Sequence, residues 1–113
     1  MSRIYKILSA QAWHEARRAG RFTGSDVDLA DGYIHFSTAA QAQETARRHF
    51  AGQAGLIVLA VEADDLGAAL RWEPSRGGAL FPHLYGDLDA GLVLEVTPAP
   101  LDADGIPDVG TPR

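Results

Sequence analysis

Six consecutive apolar residues, Leu-Ile-Val-Leu-Ala-Val at positions 56–61, constrain the fold more than any other feature. Side chains of a strand alternate between two faces. A run that is apolar at both parities therefore has two dry faces and belongs in the middle of a sheet that is covered on both sides. No apolar run approaches the ~20 residues that a bilayer span needs.

Around this strand the pattern alternates between helix and strand. Residues 3–8 read as a first strand, with Ile4, Lys6 and Leu8 on one side and Arg3, Tyr5 and Ile7 on the other. Tyr5 is expected to line the core and Lys6 to be solvated, since a lone lysine is usually on the surface. Ser9 is placed as an N-cap for a helix over 10–19, whose apolar stripe is Ala12, Trp13, Ala16 and Ala19 and which Gly20 ends. Thr38 and Gln41 stand at capping-box spacing before a second helix over 39–50. Ala39, Ala42, Ala46 and Phe50 form its stripe, and Gln41, Glu44, Arg47 and Arg48 its wet side.

Residues 21–32 read as a linker rich in turn formers and acids. Residues 63–70 read as a short helical turn, 71–73 as a short strand stopped by Pro74, and 92–97 as a last strand. Residues 75–86 read as a long loop, and 98–113 as an extended or frayed tail. The expectation is one α+β domain over 1–113 with its core at about 3–97.

The 113-residue chain carries a formal net charge of −5, which argues against general affinity for a nucleic-acid backbone. The charge is uneven: residues 1–56 sum to +2 and residues 57–113 to −7. A local anion site in the first half is compatible with this. There is no cysteine, which removes disulfide and thiolate chemistry and leaves any zinc to His, Asp or Glu. The N-terminus lacks the apolar stretch of a signal peptide, so a cytoplasmic chain is expected, and a monomer.

Two stretches could carry chemistry. Residues 31–38, Asp-Gly-Tyr-Ile-His-Phe-Ser-Thr, open on a turn signal and continue as a strand. Ile34 and Phe36 would face the core, and Tyr33, His35 and Ser37 the other side. Ser37 and Thr38 lead into a helix N-terminus, a natural place for an anion or a sugar hydroxyl. The second stretch, 75–86, brings Arg76, His83 and Tyr85 together with Glu73 just upstream. Each histidine reads either as a buried imidazole satisfied by backbone or as a ligand-binding group.

Several chemistries are disfavoured. His35, His83 and Glu73 lack the close pairs of metal helices and hairpins, so no metal is expected. Ser37 shares a strand with His35 and has no Gly-x-Ser-x-Gly elbow, which argues against a serine triad. No phosphate-binding glycine fingerprint is present. Two histidines with Lys6 would suit metal-free phosphoryl chemistry, one imidazole taking a proton, the other giving one, and the cation facing the anionic transition state.

Residues 31–38 and 81–86 (Phe-Pro-His-Leu-Tyr-Gly), with Ile-Tyr-Lys-Ile at 4–7, Trp13 and Trp72-Glu73, resemble a bacterial family, the domain-of-unknown-function family 952, over about residues 3–97. That resemblance implies an ADP-ribosyltransferase-like fold: split small β-sheets, two main helices and a nucleotide cleft. The order strand, helix with a Trp, Gly, strand with Ile-His-Phe is also similar to the RNA 2′-phosphotransferases, which share that fold and bind NAD. On this likeness His35 would contact the nicotinamide end or a ribose. This chain has Tyr5-Lys6-Ile7 where those enzymes carry a His-Gly-Thr type motif. Glu73 and Glu95 are both candidates for the catalytic glutamate, and Glu73 is preferred for its neighbours.

The resemblance thus implies a nucleotide- or NAD-like small-molecule ligand, with His35, His83 and Glu73 as catalytic residues and ADP-ribosyl or related group transfer as the reaction. Ser37, Thr38, Tyr85, Arg76 and Lys6 would hold the ligand. Two alternatives stand beside it: a non-catalytic binding module of the same fold, and a metal-independent phosphoesterase using His35 and His83.

Overall fold

The chain lays down β1 (Arg3–Ser9), α1 (Ala10–Ala19), β2 (Arg21–Phe22), α2 (Asp26–Asp31), β3 (Ile34–His35), α3 (Ala39–His49), β4 (Leu56–Glu62), β5 (Leu70–Pro74), β6 (Leu80–Leu84), β7 (Leu88–Asp89) and β8 (Val93–Pro98). The computed structural model describes residues 2–110, apart from the side chain of Arg76. The class is α+β: three small sheets, ordered β1-β4-β8, β2-β7 and β3-β6-β5, with every strand pair antiparallel.

The apolar run becomes β4, the middle strand of its sheet, and both of its faces are covered. Leu59 and Val61 enter one core with Ile4, Leu8, Trp13, Phe22, Ile34 and Leu84. Leu56, Val58 and Ala60 enter a second core with Tyr5, Ile7, Ala42 and Ala46. Burying each large aliphatic side chain contributes about 1.5–3 kcal/mol. The two helices follow their caps. Ser9 Oγ accepts from the Ala12 N–H at 3.0 Å, and Gly20 ends α1 at φ 86°, a value that favours glycine. Thr38 and Gln41 form the reciprocal box at the start of α3.

Four expectations fail for physical reasons. The linker over 21–32 holds β2 and α2. A six-residue helix is too short to show an apolar stripe, and the residue that α2 buries is Asp28, not a hydrophobe. The loop over 75–86 holds a 3₁₀ turn, Arg76–Gly78, and strand β6. Pro82 reads as a strand breaker, yet it sits within β6, the middle strand of its sheet. Its carbonyl accepts from the Phe36 N–H at 3.0 Å. A strand residue's N and C=O point to the same side. The missing N–H of Pro82 therefore faces Phe36, just past the two-residue β3, so the ladder to β3 ends there while the pairing with β5 is untouched.

The tail does not fray over its described part. Ala99 and Val109 are buried in the second core, and Gln43 donates to Pro107 O at 2.9 Å and accepts from Val109 N–H at 3.1 Å. Finally, Lys6 is buried rather than solvated, on the same face of β1 as Ile4 and Leu8. Among the described residues no helix is long and apolar enough to cross a membrane.

Candidate functional site

The register of the β3-β6-β5 sheet builds the site. His35 stands opposite His83, and His83 opposite Arg71, so these three share one face in a row across the sheet. Their neighbours Ile34, Leu84 and Leu70 are likewise aligned and turn to the core. Period two then adds Tyr33, Glu73 and Tyr85 to the histidine face. Tyr33 lies at the centre of the cluster. Its ring stacks on His83 with centroids 4.1 Å apart and lies 4.6 Å from His35 and 5.2 Å from Tyr85. The two imidazoles meet edge to face at 5.6 Å.

Behind this face lies Asp28, only 2% exposed. Its Oδ1 accepts from the His35 ring Nδ1 at 2.6 Å and from the His35 backbone N–H at 3.1 Å. Its Oδ2 accepts from Ser25 N–H at 2.9 Å. The Lys6 ammonium reaches both oxygens, at 3.0 and 2.9 Å. Burial alone would push the Asp28 carboxyl up, but the His35 bond, the Lys6 charge and the Ser25 N–H outweigh it and hold the group well below the usual carboxylate range. Burial pushes the Lys6 ammonium down, and Asp28 partly offsets this. The other His35 nitrogen, Nε2, meets Asp31 at 2.8 Å. Both His35 nitrogens thus lie within hydrogen-bond distance of a carboxylate oxygen.

His83 is held differently. Its Nδ1 meets Glu73 Oε1 at 2.8 Å, and the same oxygen accepts from the Tyr85 hydroxyl at 2.8 Å. These two bonds, His83 first, draw the Glu73 carboxyl below its ordinary value, and the Glu73 contact raises the Tyr85 phenol. No described group bonds to His83 Nε2. His83 itself is buried, 4% exposed, and because no fully buried side-chain nitrogen or oxygen among the described residues lacks a partner, this nitrogen keeps a narrow contact with solvent.

The structure thus brings His35, His83, Glu73 and Tyr85 onto one face, with Lys6 joined to His35 through Asp28. It places Ser37 and Thr38 elsewhere. Ser37 is buried with its hydroxyl 2.9 Å from that of Thr45, and Thr38 serves the α3 cap. Gln41 Oε1 accepts from the Thr38 N–H at 3.0 Å, so the groups expected to receive an anion there bond each other. The Arg76 side chain lies outside the described residues. Glu95 belongs to a different sheet and pairs with Arg3 at 2.7 Å.

Two cavities open elsewhere. One, of about 330 Å³, is lined by Gln41, Glu44, Arg48, Gly77 and Phe81 among others. The other, of about 370 Å³, lies between β1-β4-β8 and the tail. Neither includes the histidines. Among the described residues no three His, Asp or Glu side chains converge to hold a metal ion.

Tyr33, Arg71 and Asp28 escaped the sequence reading as functional residues. A signal existed for Asp28: Ser25-x-x-Asp28 is capping-box spacing. Arg71 carried none before the strand register was known.

Stability should fall in acid. The Asp28 and Glu73 carboxyls are depressed when folded, so what they contribute is complete above the ordinary carboxylate range and is lost as the pH falls through their folded values. Urea midpoints are expected to decline from about pH 5 downward. Asp28→Asn should flatten that decline, and an unchanged slope would contradict the assignment.

A family model described as "Protein of unknown function (DUF952)" matches residues 7–96. The X-ray structure of protein CC0527 from Caulobacter crescentus is 57% identical, with a TM-score of 0.93 over 95% of this chain and 94% of that one. A double-mutant crystal structure of the same protein gives 55%, 0.92 and the same coverage. Its solution NMR structure gives 58% and 0.85, over 95% of this chain and 92% of that one. No curated protein matches.

Proposed function

The chain belongs to the DUF952 family, and we propose that the histidine face of its β3-β6-β5 sheet is a small-molecule site. There His83 exchanges a proton with a nucleotide-type ligand. One observation carries this reading: Glu73 holds Nδ1 of His83 while Nε2 has no bonding partner. A carboxylate can only accept, so Nδ1 carries a proton, and in the neutral ring the lone pair is on Nε2. Imidazole is the side chain whose ordinary titration range brackets neutral pH.

In this reading Nε2 accepts a proton from a ligand hydroxyl, a ribose hydroxyl for example, and Glu73 stabilises the resulting imidazolium. Tyr85 fixes the carboxylate, and Tyr33 fixes the plane of the ring by stacking. His35, bonded at both nitrogens, acts as a fixed neighbour and not as the proton carrier. Exposed Tyr85, with partly buried Tyr33 beside it, offers a surface on which a base can stack. The ADP-ribosyltransferase-like arrangement implied by the family's resemblance, with NAD as ligand, is one form of this proposal. The division of the strands into small antiparallel sheets supports it.

NAD, ADP-ribose and AMP are the probes. At 100-fold over Kd a ligand adds about 2.7 kcal/mol, a clear rise in Tm. His83→Gln, folded by circular dichroism, should lose most of that rise. If no probe stabilises the protein at millimolar concentration, the proposal fails. The occupied His35 nitrogens favour a second reading, a binding module without turnover. Product formation from NAD, lost in His83→Gln, would exclude it.

A further inference from the structure

Arg71 is the residue on this face that no earlier step uses. It stands directly across from His83 on β5, and its guanidinium carbon lies 4.9 Å from the centroid of the Tyr85 ring. Arg3, Arg21, Arg47 and Arg48 each pair with a carboxylate, while among the described residues Arg17 and Arg18, in the last turn of α1, do not. Arg71 makes no such pair among the described residues. Glu73, two positions along on the same face, is close enough for its carboxyl to respond to the Arg71 charge, yet it is committed to His83 and Tyr85.

We infer that Arg71 is the specificity-determining residue of the site and that it selects a ligand carrying a phosphate group beside the His83 Nε2 edge. The guanidinium lies over the Tyr85 ring, a contact that uses none of its five N–H donors. Its N–H edge matches the spacing of two oxyanion oxygens and binds them with charge-assisted bonds. Arg71 is exposed and without a carboxylate ion pair among the described residues, and it lies on the histidine face, so an anion can settle there. With the phosphate on Arg71, the hydroxyl of an attached ribose comes within reach of a base on the neighbouring strand. The inference rests on the site proposed above.

Titration calorimetry with AMP and adenosine on the intact chain, Arg71→Gln and Arg71→Lys separates the outcomes. The wild type should bind AMP about 10- to 100-fold more tightly than adenosine. Arg71→Gln should bring the affinity for AMP down to that for adenosine, and Arg71→Lys should retain part of the preference. Equal AMP binding by wild type and Arg71→Gln would overturn the role of Arg71 and leave the His83 site standing. Failure of the wild type to bind either probe would overturn both.

Discussion

Asp28→Ala is expected to destabilise the chain by about 3–5 kcal/mol, because it leaves a buried lysine charge without its partner. Lys6 is 4% exposed, and the only carboxylate bonded to it among the described residues is Asp28. The same substitution strips the bond from His35 Nδ1 and the cap from Ser25 N–H, so α2 and β3 lose their common anchor. For a chain of this size the loss amounts to more than roughly 10 °C in Tm. The double variant Lys6→Met with Asp28→Ala should recover much of the loss, since the uncompensated charge is gone and the methionine fills the lysine's place. Urea unfolding of the two singles and the double gives the coupling directly. If Asp28→Ala costs less than about 1 kcal/mol, the ion pair does not organise this end of the fold.

Leu59→Ala is expected to cost about 2–5 kcal/mol. Leu59 is fully enclosed on the middle strand, between β1 and β8. The sheet around it cannot collapse, because both neighbours are locked in register. Its partner across the β1 ladder is Lys6, so the cavity would open beside the buried ammonium. Leu94, half exposed on edge strand β8, supplies the control. Leu94→Ala should change stability by no more than about 0.5 kcal/mol. Similar losses at the two positions would mean that β4 is not the dry centre of the molecule.

The parts of the fold that were legible share one property: each has a local cause. The run at 56–61 is apolar at both parities, and its two cores follow. Ser9, Gly20 and Thr38 carry their helix-end chemistry within four residues, so α1 and α3 could be placed to within a residue of their observed ends. The parts that were not legible depend on distant partners. Lys6 looks like a surface lysine until Asp28, 22 residues later, is placed beneath it. Asp28 looks like one more acid in a turn-rich stretch because α2 is too short to show a helical period. Both histidines were legible as unusual, His35 by its apolar strand and His83 by its loop-like setting. That the two would share one site was expected from the polar residues around them, and their rings do meet at 5.6 Å; the pairing that brings them together was not legible, because it depends on the β3-β6 register, and Pro82 hides the strand that sets it.

The site follows the same rule. Glu73 and Tyr85 were associated with His83 by closeness in sequence, and their hydrogen bonds are short-range in the same sense. Ser37 and Thr38 were also close in sequence to His35, but their hydroxyls bond Thr45 and the α3 cap. A hydroxyl near a helix start is used first by the helix.

The proposed role of His83 can be read from long-range ¹H–¹⁵N NMR of the imidazoles during a titration with AMP. The account requires a protonated Nδ1 on His83, a lone pair on Nε2, and a saturable shift of those nitrogens, while His14 on α1 stays fixed. If every imidazole nitrogen stays unmoved to millimolar AMP, or if His14 moves and His83 does not, the histidine face is not the binding site.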